Sequence, residues 1–230
     1  MRRLGLFGAF LVVITSVTGC QTTQPVREVT QSGFLGDYSL LHPGAEGEAA
    51  LVYVNPSANL SAYDKVLIDP VTVWLAPDSD LSDLPVDERQ QLANSLHNKL
   101  VEVLQSDYEI VSIPGAGVMR LSAAITEAEK RMVALDTIST VFPAARVLSQ
   151  AKSMATGTQS FVGEASAEFK ATDAQTGELL GAGVDRRAGG KTLEKGFSSW
   201  GDVEGAFQYW AERVRYRLCK ERGGANCVAP

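Results

Sequence analysis

The stretch FVGEASAEFKA, residues 161–171, leaves the chain the least freedom in how to fold. Phe161, Gly163, Ala165, Ala167, Phe169 and Ala171 alternate with Glu164, Ser166, Glu168 and Lys170. A period of two sends the two sets to opposite faces of a pleated strand, and no helix can gather either set on one side. DAQTGE follows with the composition of a turn, and LLGAGVDRR returns as the antiparallel partner. The expectation is a long hairpin with one face in a core and the other wet.

The neighbouring segments extend this into one sheet. Residues 50–54 form a short apolar run, and KVLIDPVTVWL (65–75) is β-branched but broken by Pro70, which cannot donate to a ladder and so marks an edge or a bulge. YEIVSI and MRLSAAITEAE follow, the second with Met119, Leu121, Ala123 and Ile125 alternating against polar or small residues. Two segments have helical spacing instead. Leu92, Leu96, Leu100, Val103 and Leu104 form a stripe behind Asp87 and Glu88, which suit the first turn of a helix; His97 beside it is expected to face solvent. Val203, Phe207, Trp210, Val214 and Leu218 form the second stripe, with Asp202 as the expected N-cap and Arg213, Arg215, Arg217 and Lys220 toward the C-terminal end. The fold class is therefore α+β: a single domain, with a mainly antiparallel sheet packed by two amphipathic helices. With 45% hydrophobic and 21% charged residues the chain has enough apolar material for such a core. Residues 137–157 read either as an exposed apolar loop or as a helix opened by Pro143.

The N-terminus reads as a secretory signal. Arg2 and Arg3 precede an apolar run at 4–14, which is shorter than the ~20 residues a membrane-crossing helix needs. Val17-Thr18-Gly19-Cys20 then resembles the bacterial lipobox. That resemblance implies cleavage after residue 19 and acylation of Cys20, with two or more chains giving firm membrane attachment. Gln21 stands where inner-membrane lipoproteins usually have aspartate, so the expected location is the periplasmic face of the outer membrane. The expected organisation is a signal peptide at 1–19, a lipidated tether at 20–31 and the α+β domain at 32–230. Loss of residues 1–19 removes Arg2 and Arg3 and takes the formal charge from −6 to −8, a balance that argues against nucleic-acid binding. Cys219 and Cys227 remain; in an oxidising compartment such a pair reads as a disulfide, the alternative being two free thiols.

Chemical motifs are sparse. GVDRRAGGKT ends like a phosphate-binding loop, but Asp185 stands where the first glycine is required, and its charge would repel phosphate. The Gly115 and Gly181 stretches lack the third glycine of a dinucleotide fingerprint. The mature chain has neither Gly-x-Ser-x-Gly nor His-Glu-x-x-His, and its histidines are His42 and His97. Asp78, Asp80 and Asp83 resemble a calcium loop only superficially, because Arg89 occupies the twelfth position. No cofactor, metal or nucleotide is expected. Asp185, Arg186 and Arg187, with Trp200 nearby in sequence, are the candidate binding residues: arginine forks beside an aspartate either recognise a carboxylate or phosphate or brace a strand end, and bracing is the favoured reading.

The lipobox, SGFLGDYS, KVLIDPV, PGAGVMRLSAAITEAE, SFVGEASAEF, DAQTGELLGAGVDRRAG and SSWGDVEGAFQYWAERVRYRL together resemble a Gram-negative lipoprotein family known as domain of unknown function 3313. The resemblance spans nearly all of the mature chain and implies an envelope lipoprotein, with no activity to carry over. The element order is also similar to outer-membrane lipoproteins that assemble in rings, which would make 137–157 a membrane or partner contact. The leading expectation is a non-catalytic binding or structural role in the envelope, through the polar sheet face or 137–157. The alternatives are a subunit of a homo-oligomeric outer-membrane assembly and an enzyme acting on cell-wall material through Asp185–Arg187.

Overall fold

A computed structural model describes residues 23–75, 80–129, 163–189 and 200–230. In chain order these form β1 (Thr23–Val26), β2 (His42–Pro43), β3 (Leu51–Val54), β4 (Lys65–Ile68), β5 (Thr72–Val73), α1 (Val86–Leu104), β6 (Glu109–Ile110), β7 (Val118–Glu129), β8 (Glu164–Asp173), β9 (Leu179–Gly189) and α2 (Gly201–Glu221). The strands make a single sheet in the order β2-β3-β9-β8-β7-β4-β6, with β1 added to β9 and β5 to β7. Pairing is antiparallel except for β4 with β6 and β7 and β5 with β7, which are parallel. This is an α+β fold in one domain.

Both helices lie on one face. Leu92, Leu96, Leu100 and Leu104 of α1 are buried, one per turn, against the sheet and α2. The helix stops where Gln105 N–H reaches Val101 O and Ser106 Oγ takes the Val103 carbonyl. From α2, Phe207 and Trp210 press onto the sheet where Ala165, Ala167 and Ala123 offer only methyl groups. The small residues let the helix approach closely, and the Trp210 ring meets Phe169 edge-on at 5.8 Å. Burial of large side chains here contributes ~1.5–3 kcal/mol each.

Pro70 sits in a break rather than a strand. Three residues separate Ile68 from Thr72 while two separate their partners Leu121 and Ala124, so the extra residue makes the bulge that proline requires. His97 is half-buried, its Nδ1 3.2 Å from the Asp69 carbonyl, where solvent exposure had been expected.

The larger correction concerns the face of β8 that was expected to be wet. Glu164, Ser166 and Glu168 point away from the helices as the alternation requires, yet all three are buried, Glu168 to 0% exposure. Residues 32–38 cover Glu168. Ser32 N–H and Tyr38 Oη donate to the Glu168 carboxylate at 2.8 and 2.6 Å. The loop can curl this tightly because Gly33 and Gly36 take φ of 95° and 80°, so that the Tyr38 hydroxyl returns to accept from Gly33 N–H at 2.8 Å. Phe34 packs edge-on to Trp74 at 5.7 Å, and Lys170 Nζ lies 4.8 Å from the Phe34 ring. Burial, and then the Glu168 carboxylate, push the Tyr38 hydroxyl above its ordinary pKa.

Within the stretch expected to be a tether, residues 23–26 form a strand. Thr23–Val26 pair antiparallel with Arg186–Gly189, Thr23 opposite Gly189. Cys20, residues 137–157, the Gly190-Lys191-Thr192 turn and Asp78 lie outside the described residues.

Candidate functional site

Along β9 the side of the strand facing α2 carries Gly181, Gly183, Asp185, Arg187 and Gly189, in register with Ala171, Phe169, Ala167 and Ala165 of β8. The alternation therefore splits the cluster suggested by sequence. Asp185 and Arg187 enter the interface with α2. Arg186 turns to the opposite face and pairs with Glu164 at 2.7 Å and Glu127 at 3.4 Å. Trp200, half-buried against the core, precedes α2 at its N-terminal end, and Trp210 is the tryptophan that meets Asp185.

Asp185, 3% exposed, accepts Trp210 Nε1–H on Oδ2 at 2.8 Å and Ala50 N–H on Oδ1 at 3.2 Å. Burial raises its carboxyl pKa against the opposing pull of the Trp210 donor, the Arg187 charge and backbone N–H groups. Arg187, 2% exposed, donates from Nε to Thr23 Oγ1 at 2.7 Å and from Nη2 to the Thr23 carbonyl at 2.8 Å. Its Cζ stacks 3.4 Å from the Tyr209 ring centroid. Burial pulls its pKa down, yet a guanidinium stays charged in any protein. Both residues are thus engaged in bracing: Arg187 ties β1 to β9, and Asp185 ties β9 to α2 and to the residue before β3. Asp202, expected as an N-cap, lies inside the first turn of α2 and accepts Gly163 N–H at 3.0 Å. Gly189 is required opposite it, since an added Cβ would stand 2.0 Å from the Asp202 carboxyl carbon.

Next to this network a cavity of about 150 Å³ opens between α2 and the sheet. Val52, Val54, Phe169, Trp210, Val214 and Leu218 form its walls, and Gly181 and Gly183 contribute no side chain to fill it. Arg213, Arg217, Glu48 and Glu221 stand at its rim, and Arg217 bridges the two glutamates. Arg213 differs: Nε and Nη2 both donate to Tyr209 Oη, at 3.2 and 2.8 Å, and it pairs with no carboxylate among the described residues. Its guanidinium lies 5.3 Å from the Tyr209 and Tyr216 rings. Sequence reading placed Trp210 and Val214 on the buried stripe but missed the groove, because the residues that create it are the side chains β9 lacks.

Beyond the groove, Cys219 and Cys227 form a disulfide that folds the tail back on α2, and Arg222 stacks 4.9 Å from the Tyr108 ring. Among the described residues no group of His, Cys, Asp and Glu could hold a metal ion, and no helix is long and apolar enough to cross a membrane.

The sequence model of the family described as "Protein of unknown function (DUF3313)" matches residues 30–214. No curated protein matches the chain. Among solved structures, the PelC dodecamer from Paraburkholderia phytofirmans is similar at 12% identity and a TM-score of 0.38, covering 76% of this chain and 96% of that one. A Xanthomonas campestris protein of family DUF330 is similar at 9% identity and a TM-score of 0.42, covering 74% of this chain and 92% of that one.

Proposed function

The chain belongs to the DUF3313 family, and we propose that it is a lipid-anchored, non-catalytic binding protein on the periplasmic face of the outer membrane. The anchor reading is supported by residues 1–20: paired arginines, an apolar run too short to span, and Val17-Thr18-Gly19-Cys20. The Cys219–Cys227 bond suits an oxidising compartment.

The observation that carries the binding reading is the apolar groove beneath α2, with Arg213 at its mouth. A cavity of that volume holds a group the size of a benzene ring. Arg213 spends its Nε–Nη2 edge on Tyr209 and lacks a carboxylate partner among the described residues, so its Nη1–Nη2 edge is the fork that an anionic end would take. The ligand class is a small apolar group ending in a carboxylate or phosphate. Asp185, the titratable group at the inner end of the groove, is engaged by Trp210 and Ala50, which supports binding without turnover.

Titration with benzoate and hexanoate, followed by protein NMR, tests this. Residues lining the groove are expected to shift saturably. Gly183→Val should abolish the shifts; its Cβ meets Leu51 O and Ala49 Cβ at ordinary contact distances of 3.5 and 3.8 Å, and an unchanged spectrum away from the groove checks that the fold is kept. Equal shifts in the variant, or none in either protein, would refute the groove as the site.

A further inference from the structure

The lipid anchor and the end of the sheet nearest to it are closer than a tether would leave them. Thr23 follows Cys20 by three residues, and three residues span at most ~10 Å when fully extended. Thr23 is 2% exposed and is clamped by Arg187 as well as by the β1–β9 ladder. It therefore cannot swing away from the domain.

The register places several other landmarks at that end. Glu129 is opposite Glu164, Glu164 opposite Ala188, and Gly189 opposite Thr23. Asp202 holds the start of α2 there through Gly163 N–H. The end of β7, the start of β8, the end of β9, the start of β1 and the start of α2 thus share one end of the domain. The turn after Asp173 closes the opposite end, nine strand residues from Glu164, or ~30 Å at ~3.3 Å per residue. The groove lies in that distal half, around Gly181, Gly183 and Leu218.

Given acylation of Cys20, on which this rests, we infer that the sheet end carrying Thr23, Glu129, Gly163 and Gly189 is the end turned toward the lipid surface. The domain is strapped upright by β1, and the groove lies in the half of the domain farther from the bilayer. Its ligand then comes from the aqueous periplasm and not from the membrane that holds the anchor.

The test uses the full chain, processed in Gram-negative cells and reconstituted into phosphatidylethanolamine–phosphatidylglycerol vesicles containing head-group spin-labelled lipid. A fluorophore is attached to a thiol at Glu129→Cys or, separately, at Gln175→Cys; the native cysteines are acylated or disulfide-bonded. The expected result is flotation of both variants with the vesicles and quenching several-fold stronger at 129 than at 175. Inserting ten Gly/Ser residues between Cys20 and Gln21 should leave flotation intact and erase the contrast, because a flexible linker frees the orientation. Vesicle-bound protein with equal or reversed quenching would overturn the inference and leave the anchor reading standing. So would a contrast that survives the linker. Failure of both variants to float would overturn the anchor reading and this inference together.

Discussion

Removing either partner of the Tyr38–Glu168 bond should loosen the cover on the far face of the sheet, and the coupling between them measures how firmly it is held. Tyr38→Phe deletes the 2.6 Å hydrogen bond to Glu168 and the acceptor for Gly33 N–H. Glu168→Gln keeps the shape and one acceptor but removes the charge, with Ser32 N–H still within reach at 2.8 Å. A hydrogen bond to a charged group contributes ~1.5–3 kcal/mol, and Glu168 is fully buried while Tyr38 is half-exposed. We therefore expect about 2 kcal/mol for each single change and a coupling energy of about 1.5 kcal/mol, well above the ~0.3–0.5 kcal/mol within which independent sites add. Urea unfolding of the mature, disulfide-intact protein reads all four corners of the cycle, provided the m-value is constant. A coupling below ~0.5 kcal/mol would mean that the 32–38 loop does not rest on Glu168 in solution, and the far face would again be an open surface.

Two aspartates should respond oppositely to pH. Burial raises the folded pKa of Asp185, so its cost is absent below the ordinary value near 3.9 and grows as pH rises through the folded value; the stability advantage of wild type over Asp185→Asn should shrink between pH 4 and neutrality. Asp173 is lowered, first by the Thr176 backbone N–H and then by Tyr63, so the advantage of wild type over Asp173→Asn should be present at neutral pH and disappear as pH falls below ~4, both read by urea midpoints. Tyr63, pushed up to about 12 by burial and by Asp173, stays protonated throughout that range. Replacing Cys219 and Cys227 together by serine should cost ~2–3 kcal/mol from the short loop they close, with proteolysis confined to the chain beyond Glu221. A larger loss would show that the tail, and not only the bond, supports α2.

How much of this was legible depends on whether the cause is local. The stripes of α1 and α2 and the alternation of β8 are period effects and could be read directly, as could the cysteine spacing. The same alternation separates Arg186 from Asp185 and Arg187, although the three were grouped by proximity in sequence. What covers the polar face of β8 could not be read, because Ser32 and Tyr38 reach Glu168 from 136 and 130 residues away. TQPV has no apolar period and looked like tether; it becomes a strand because Arg187, 164 positions on, supplies its side-chain partner. Trp200 lies near Asp185 in sequence, whereas helical geometry delivers Trp210.

The central claim, a processed envelope lipoprotein, meets its most direct test in the intact mass of the chain purified from Gram-negative outer membranes. The expected mass lacks residues 1–19 and carries a diacylglyceryl and an N-acyl group on Cys20, with Cys219 and Cys227 oxidised. An unacylated Cys20, or a chain that retains Met1, would contradict it.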